Sequence, residues 1–525
     1  MKSIVSKLHS HFDGFNAILF TAYSVVILIA SVLLIDSSIA ILRNTLYVLL
    51  GCFLFCPLIL KAVKKDTRIS EALNKSERNK PLDIFAVAFP FFILLYQYII
   101  YYPGGFSYDS IKQYNQVLTG NYNDWHPVIQ TLLAFKAPLM LTGGWIGSIV
   151  LFQLIAFAFV LAYTHRVLVK HTNSKVAAAV IFYISLNPTM LNTVIHPWKD
   201  VSFAMGALLL MDFSLEIYFS DGKWIKSAPH TIVFTVVFVL TTLFRHNALM
   251  FTIPLLIAIA FCISKKRTLA IAVASLVLIA GIRVPFYNAI GVEQPDQRQV
   301  ETLGLPLSVI GGVHMYCPNR LNSETKEFLY KLAPKEEWEK HYDKWGFNSI
   351  KFNDNTNLDV IEEYGTRKIL KMTADCFAVA PIPSIRSVIN VTNCTYSVMN
   401  DTVNSFTNHI CYICTLLEGS EVGIEYKGIP ALQNLSNNYT VLCLLFLPHV
   451  FISIGTLHLL LLLVLLARCS LKKRKDLKKM LFALPIFIYN FSTMLLLSSS
   501  IDTIRFYYYT FLTVPLIMIL LFKKK

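Results

Sequence analysis

The feature that most constrains this chain is a series of apolar runs long enough to cross a lipid bilayer. A membrane helix needs about 20 mostly apolar residues, and the chain is 55% hydrophobic and 15% charged, with a mean hydropathy of +0.54. A soluble core does not bury that much apolar surface. We therefore predict an all-α polytopic membrane protein with about twelve transmembrane helices. The runs lie near 16–35, 45–62, 82–102, 144–165, 176–195, 201–219, 230–244, 248–263, 268–288, 441–466, 480–500 and 506–522.

Basic residues in the short loops predict the orientation of these helices. If the N-terminus is cytoplasmic, every strongly basic short loop falls on the cytoplasmic side, as the positive-inside bias requires. We therefore expect a multi-pass protein of the cell membrane with both termini in the cytoplasm. The formal net charge of +15 comes from these loops, and no nucleic-acid partner is expected. The loops are 61–80, 166–175, 223–226, 265–267, 472–479 and 523–525.

A long polar stretch, 291–440, divides the chain and lies outside the cell in this topology. It is large enough for a small extracytoplasmic domain, with helices predicted at 324–332, 335–342 and 359–377. The predicted organisation is nine transmembrane helices in 1–290, this mostly helical domain in 291–440, and three transmembrane helices in 441–525.

Five of the ten cysteines fall in this polar stretch. An exported location permits disulfides, but an odd number leaves at least one cysteine without a partner in the stretch, so the pairing stays open. The five are Cys317, Cys376, Cys394, Cys411 and Cys414.

Charged residues in four outer loops sit at the predicted membrane boundary. Any one of them alone reads as a helix-end residue that reaches water or caps a neighbour. Groups of both signs held close to the bilayer tend to face a cavity and to pair, so together they predict a shared site. The residues are Asp109, Asp124, His126, His196, Lys199, Asp200, Arg245 and Arg505, with Asp502 beside the last.

The first of these loops, 102–143, is the predicted catalytic loop. Its segment Val128–Leu141 is too short to span and is expected to be an interfacial or re-entrant helix. A carboxylate in such a loop suits general-base catalysis, and the fixed fork of an arginine suits a phosphate. No spacing of His, Cys or Asp predicts a firm metal site, and a divalent cation is left open.

The motifs in these loops give the chain a resemblance to the GT-C superfamily of integral-membrane glycosyltransferases, which use polyprenyl-phosphate-linked sugars. The chain more closely resembles a group of uncharacterised bacterial multi-spanning proteins within that superfamily. The chain departs from the pattern of that superfamily in two ways. Two extra spans precede the key loop, and the main soluble region lies between the ninth and tenth predicted spans rather than at the C-terminal end. The motifs, in order, are Gly104-Gly-Phe-Ser-Tyr-Asp109-Ser with Gln113, Trp125-His126-Pro127, Trp198-Lys199-Asp200, Arg245-His-Asn247 and Arg505-Phe-Tyr507.

The resemblance implies a GT-C-like fold, a catalytic base at Asp109, and a donor phosphate held by Lys199, Arg245 and Arg505. Asp124, His126, His196 and Asp200 are further candidates for substrate binding in the predicted site. On this basis we expect an inverting glycosyltransferase, a hexosyl- or pentosyltransferase, acting on the outer face of the membrane. Its donor would be a lipid-phosphate-linked sugar, and its acceptor a cell-envelope glycan, such as a polysaccharide, or another envelope molecule.

Two alternatives stay open. A transporter or flippase of a lipid-linked saccharide would usually place ionisable groups near the bilayer midplane, often in repeated halves; the sequence shows no obvious repeat. A polymerase or ligase that uses a diphosphate-linked oligosaccharide is chemically close to the transferase and is not separated from it by the sequence.

Overall fold

The computed structural model of the protein describes residues 68–75, 77–295, 298–396, 427–451, 453–469, 473–500 and 503–523. The first two predicted spans, Cys411, Cys414 and Asp502 lie outside the described residues. The described part of the chain is helical and contains no strand, only isolated bridges.

Twenty helices make up most of the described chain. Short helical turns at Arg298–Thr302, Asn348–Lys351 and Pro448–Phe451 join some of them. The helices are α1 (Arg68–Asn74), α2 (Lys80–Ile100), α3 (Tyr108–Thr119), α4 (Val128–Leu141), α5 (Gly147–His171), α6 (Ser174–Ser185), α7 (Pro188–Val194), α8 (Lys199–Phe219), α9 (Ala228–Leu243), α10 (Leu249–Ala260), α11 (Lys265–Ala289), α12 (Gly304–Tyr316), α13 (Ser323–Leu332), α14 (Lys335–His341), α15 (Asp359–Val379), α16 (Pro381–Thr392), α17 (Pro430–Phe446), α18 (Ile454–Arg468), α19 (Arg474–Met494) and α20 (Ile504–Phe522).

Five of these helices, α2, α5, α8, α11 and α20, are long and apolar enough to cross a membrane. The pair α6 and α7 would make a sixth span, bent by 59°. The helical membrane-protein class predicted from the sequence therefore agrees with the described residues, and the total of twelve spans stays a prediction.

The bend between α6 and α7 interrupts the run predicted at 176–195. The Asn187 side chain accepts hydrogen bonds from the backbone amides of Thr189 and Met190, and Pro188 takes the first helical position. An Asn cap followed by Pro is a strong start signal for a new helix, so the chain starts a new helix there and changes direction.

The single span predicted at 441–466 is wrong in its bounds. The structure has two helices instead, α17 ending at Phe446 and α18 starting at Ile454. Pro448 lacks a backbone amide hydrogen and disfavours helical geometry in the residue before it, and Ser453 caps the new helix by accepting from the amide of Thr456. Both signals lie inside a long apolar run, so the hydropathy pattern alone predicted one continuous helix.

Basic side chains gather at one end of the bundle, which we call the basic end. Lys170 Nζ lies 2.6 Å from a Glu216 carboxylate oxygen on α8. Arg267 donates to the Ile225 carbonyl at 2.7 Å, and Lys479 donates to the Lys523 carbonyl at 2.9 Å. Loops that were predicted to share one side of the membrane thus meet in space.

The opposite end of the bundle, the site end, holds the loops that follow α2, α7 and α9 and precede α20. Tyr98 near the end of α2 donates to the Gly147 carbonyl at the start of α5 at 2.9 Å. The amide of Gly105 donates to the Ile195 carbonyl at 2.9 Å. The loops that carry the predicted site residues therefore lie at neighbouring helix ends.

A second apolar core lies in the polar stretch and runs from Val300 to Ala380. It includes the predicted short helices, found as α13, α14 and α15, the last kinked at Gly365. We call residues 300–380 the globular region. Cys317, Cys376 and Cys394 are free thiols, and α17 packs back on the bundle, where Gln97 on α2 donates to Ser436 at 3.1 Å.

Candidate functional site

The loop 102–107 is pressed against the turn between α7 and α8. Gly105 lies on the His196 ring so closely that a Cβ atom there would overlap the imidazole. Gly104 lies in the left-handed region (φ 127°) against Val150, where a Cβ atom would also overlap. Two adjacent glycines thus let the backbone approach α5 and the His196 ring, and this close packing sets the start of α3.

The start of α3 is tied to the start of α8. Trp198 precedes the first residue of α8, and its indole Nε1 donates to the Ser107 hydroxyl, which precedes α3, at 2.7 Å. Asp109 stands in the first turn of α3, where the helix dipole favours a negative charge. The indole bond therefore holds the helix end that presents Asp109.

The buried side of α3 is locked by an amide network. Gln113 donates to Thr131 at 2.8 Å and to the Gln130 side chain, and Gln130 donates to the Pro197 carbonyl at 3.4 Å. Gln113 and Gln130 are both buried. Since buried amides cost free energy unless bonded, this network fixes the rotation of α3 relative to α4 and the 195–198 turn.

Asp109 and Arg505 form the exposed pair of the site. Arg505 Nη1 donates to Asp109 Oδ2 at 3.0 Å, with 31% of the Asp109 side chain and 23% of the Arg505 side chain exposed. The Arg505 guanidinium also lies 4.9 Å from the Trp198 ring centroid and 5.1 Å from that of Phe506. The first and last of the predicted site loops, almost 400 residues apart in sequence, therefore meet directly.

His126 and Lys199 stand behind this pair. Lys199 Nζ lies 3.3 Å from His126 Nδ1, and His126 Nε2 lies 4.0 Å from Asp109 Oδ1. An ammonium group only donates, so Nδ1 accepts and the proton of a neutral imidazole sits on Nε2, facing Asp109. No described residue offers Nε2 a hydrogen-bond partner, since 4.0 Å is too long for one.

The ionisation of Asp109 and His126 follows from burial and nearby charge. Burial alone would raise the pKa of the Asp109 carboxyl, but the positive charges of Arg505 and Lys199 outweigh it and hold the pKa well below its usual range. Burial and the Lys199 charge lower the pKa of His126 to about 3. At neutral pH the site therefore presents a carboxylate next to a neutral imidazole.

Asp200 and Arg245 form a second, buried pair. Arg245 Nη1 contacts Asp200 Oδ1, with only 8% and 2% of the two side chains exposed. Aromatic rings surround the guanidinium, with the Phe506 centroid at 4.9 Å and those of Phe203 and Tyr489 at 5.9 Å. Phe506 therefore contacts both site arginines, and Arg245 already has a carboxylate partner.

Two other predicted residues lie in the loops that frame the site. His196 Nδ1 lies 2.8 Å from the Asn192 carbonyl, and its ring stacks on Trp198 with centroids 4.1 Å apart. The Asp124 side chain is buried, and its amide donates to the Glu293 carbonyl at 2.9 Å. The structure thus places His196 beneath the 102–107 loop and Asp124 where the 120s loop meets the end of α11.

Comparison with known proteins gives a match over part of the chain and no activity. Residues 119–355 match the model of a family of unknown function (DUF6020). The search of curated proteins and the search of solved structures found no match. The matched residues cover less than half of the chain and include His126, Lys199 and Arg245, whereas Asp109 and Arg505 lie outside them.

Sequence reasoning missed three residues that shape the site. Phe506 contacts two arginines, Trp198 binds both Ser107 and Arg505, and Gln113 holds α3 in place. Trp198, Gln113 and Phe506 all stood inside the quoted motifs, so their position beside charged residues was the available signal. Among the described residues no group of three or more His, Cys, Asp or Glu is placed to hold a metal ion.

Proposed function

We propose that the protein is an inverting membrane glycosyltransferase that moves a sugar from a polyprenyl-phosphate donor to a cell-envelope glycan or another acceptor on the outer face. The observation that carries the proposal is the Asp109–Arg505 pair, partly exposed and hydrogen-bonded at 3.0 Å. In this pair a carboxylate lies beside the planar fork of an arginine, a group whose geometry suits a phosphate. These are the two groups that such a transfer needs.

In the proposed step an acceptor hydroxyl gives its proton to a carboxylate oxygen of Asp109 as its oxygen attacks the anomeric carbon. The bond from that carbon to the phosphate oxygen breaks, and its electron pair leaves with the lipid phosphate. A new glycosidic bond forms on the opposite face of the sugar, which inverts the configuration. General-base help of this kind is worth roughly 10²–10⁴ in rate.

The charge balance of the cluster supports an anionic donor. Arg505, Lys199 and Arg245 bring three positive charges, while Asp109 and Asp200 bring two negative ones. Since uncompensated charge close to the bilayer is costly, an incoming phosphate would complete the balance. Arg505 and Lys199 would contact it, and Arg245 would add its charge from the buried pair.

Donor binding would also change the basicity of the Asp109 carboxylate. Arg505 is the strongest of the charges that lower the pKa of Asp109. If its guanidinium turns toward a phosphate, part of that charge is neutralised, and the carboxylate becomes a stronger base when the donor is in place. The neutral His126, whose Nε2–H faces Asp109 at 4.0 Å, would then orient the acceptor or the sugar.

The test uses purified protein in proteoliposomes with a polyprenyl-phosphate-linked sugar and an envelope glycan acceptor. Wild type should form a covalent glycoside of inverted configuration, and Asp109→Asn should lower the rate by roughly 10²–10⁴. Asp476→Asn at the basic end, in the first turn of α19, is the matched control and should keep the rate.

Three results would redirect the proposal. Full activity of Asp109→Asn would remove Asp109 as the base. Movement of the lipid-linked sugar across the bilayer without any covalent product would favour a transporter. Activity with a diphosphate-linked oligosaccharide alone would favour the polymerase or ligase.

A further inference from the structure

The globular region reaches back to the loop that leads into α20. The amide of Phe347 donates to the Ser498 carbonyl at 2.6 Å, and the amide of Ser500 donates to the Trp345 carbonyl at 2.8 Å. The Ser498 hydroxyl donates to the Asn348 side chain at 2.7 Å. The Ser500 hydroxyl also donates to the Trp345 carbonyl, at 3.4 Å. Residues 345–348, which we call the docking turn, thus make four hydrogen bonds with residues 498–500.

The contact is close as well as bonded. Gly346 has a φ of 149°, and a Cβ atom there would overlap the Ser498 carbonyl oxygen and the Ser499 Cα. Gly304 at the start of α12 faces Ser498 in the same way. Two glycines from the globular region therefore leave just enough room for the backbone of 498–499, and this backbone cannot shift toward either of them.

The docked loop connects to Arg505 within a few residues. The Thr503 hydroxyl donates to the Ser500 carbonyl at 2.9 Å, and the Phe506 amide donates to the Thr503 carbonyl at 2.9 Å. Arg505 stands between these two bonded residues, and its guanidinium reaches Asp109. A displacement of Ser498–Ser500 would be passed through Thr503 to the helical turn that carries Arg505.

The same part of the globular region touches the other site loop. Lys351, whose side chain is only 8% exposed, pairs with Glu301 and lies 5.9 Å from the ring centroid of Trp125. Trp125 directly precedes His126. The globular region thus contacts both the loop before Arg505 and the loop before His126.

We propose that the docking turn is a positioning element that sets the Arg505 guanidinium against Asp109, with Gly346 as its critical residue. It does not contact substrate; it fixes where the phosphate-binding fork stands. The proposal deepens the proposed function, since the fork it positions is the one assigned to the donor phosphate.

The first experiment needs no knowledge of the substrate. Hydrogen–deuterium exchange of the full-length protein in detergent is measured for peptides covering 498–509 and 106–112, in wild type and Gly346→Ala. Exchange in both peptides should rise by roughly 5–30-fold, the factor that corresponds to a local loss of 1–2 kcal/mol. Peptides at the basic end, such as those of α5 near Lys170, should not change.

Gly365→Ala is the matched control. Gly365 also has a positive φ, 73°, and lies in the globular region, but no atom lies within 4 Å of a Cβ placed there. It carries a similar backbone penalty without pressing on Ser498, so exchange at 498–509 should stay at the wild-type level. If Gly346→Ala fails to fold, Ser498→Ala, which removes only the bond to Asn348, should give a smaller rise in the same peptides. Equal exchange in wild type, Gly346→Ala and Ser498→Ala would overturn the proposal.

The second experiment tests whether the turn acts through Arg505. Binding of polyprenyl phosphate in detergent is measured for Gly346→Ala, Arg505→Lys and the double variant. If the turn acts through the guanidinium, Gly346→Ala weakens binding in the wild-type background and has little further effect beside Arg505→Lys, because coupled residues are not additive. Additive losses would contradict the proposal. If wild type binds no polyprenyl phosphate, the proposed donor is wrong, and the exchange result still decides the role of the turn.

Discussion

Asp109 and Arg505 form one ion pair at the site end of the bundle, and Asp200 and Arg245 form another, with the ring of Phe506 against both arginines. The exposed fractions are 31% and 23% in the first pair but 2% and 8% in the second. An exposed pair adds little to stability, whereas breaking a buried pair leaves an uncompensated charge. The same two residue types therefore stabilise the fold in the buried pair, whereas the partly exposed pair carries the proposed chemistry.

Removal of one carboxylate from each pair should give the largest difference in stability between the two pairs. Asp200→Asn should lower the free energy of unfolding by about 3–5 kcal/mol, because Arg245 is left buried and charged. Asp109→Asn should lower it by less than Asp200→Asn does, because water screens part of the charge in a pair whose side chains are 31% and 23% exposed. Thermal unfolding of the purified protein in one detergent compares the two variants.

A joint replacement separates charge from packing in the buried pair. Asp200→Leu with Arg245→Met removes both charges and should recover most of the stability lost in Asp200→Asn, since apolar replacement of a buried pair is often neutral. A double variant as unstable as the single one would mean that the pair is needed for its geometry.

Acid should lower the stability of the folded protein through His126, which lies beside the Asp109–Arg505 pair. Its pKa is lowered from 6.5 to about 3 in the folded protein, so between these values the unfolded chain binds a proton that the folded one does not. Stability contributed by neutral His126 is thus present above pH 6.5 and falls by about 1.4 kcal/mol for each pH unit below it. The unfolding temperature of His126→Gln should depend less on pH over this range than that of wild type. His230→Gln, at the exposed His230 near the basic end, should keep the wild-type dependence.

The pH profile of transfer should report the Arg505 charge. Arg505→Gln removes the foremost charge that lowers the pKa of Asp109, so the carboxylate should protonate at a pH higher by roughly 1–3 units. The acid limb of the pH–rate profile should therefore move to higher pH by that amount. Arg505→Lys keeps the charge and should leave the limb near its wild-type position while it weakens donor binding. An unshifted limb in Arg505→Gln would show that Arg505 does not tune the base.

The smallest effect is expected at Phe506, which both pairs share. Phe506→Leu removes a ring contact that is worth about 0.5–1 kcal/mol at exposed sites and about 2 kcal/mol when desolvated. It should lower stability through Arg245 and lower the transfer rate slightly through Arg505. Phe506→Tyr retains the ring and should resemble wild type in both measurements.

The sequence predicted the positions of helices and of the polar loops at their ends well, because those signals are local. The apolar runs marked α2, α5, α8 and α20, and the polar loops at their ends pointed to residues that the structure brings together, Asp109, His126, Lys199 and Arg505. Residues close to a helix end determine where the helix starts and stops. Antiparallel helices of similar length then bring alternate loops to the same end of the bundle.

The sequence could not say which charges pair. Asp200 and Arg245 were predicted to bind substrate with the others, yet their pairing depends on how α8 packs against the turn after α9. The break after Phe446 was missed because the apolar run continues through Pro448 and outweighs a single proline in a hydropathy window. The neutral state of His126 depends on burial and on Lys199, which no residue spacing reveals.

The fit between Gly105 and the His196 ring has a practical consequence for anyone who wants an inactive form of this protein. One added carbon at residue 105 would lift the loop from the imidazole and move Asp109, four residues later, away from Arg505. If the proposed function holds, Gly105→Ala should inactivate the site while every charged group stays in the chain, which makes it a cleaner loss-of-function allele for genetics than removal of a carboxylate.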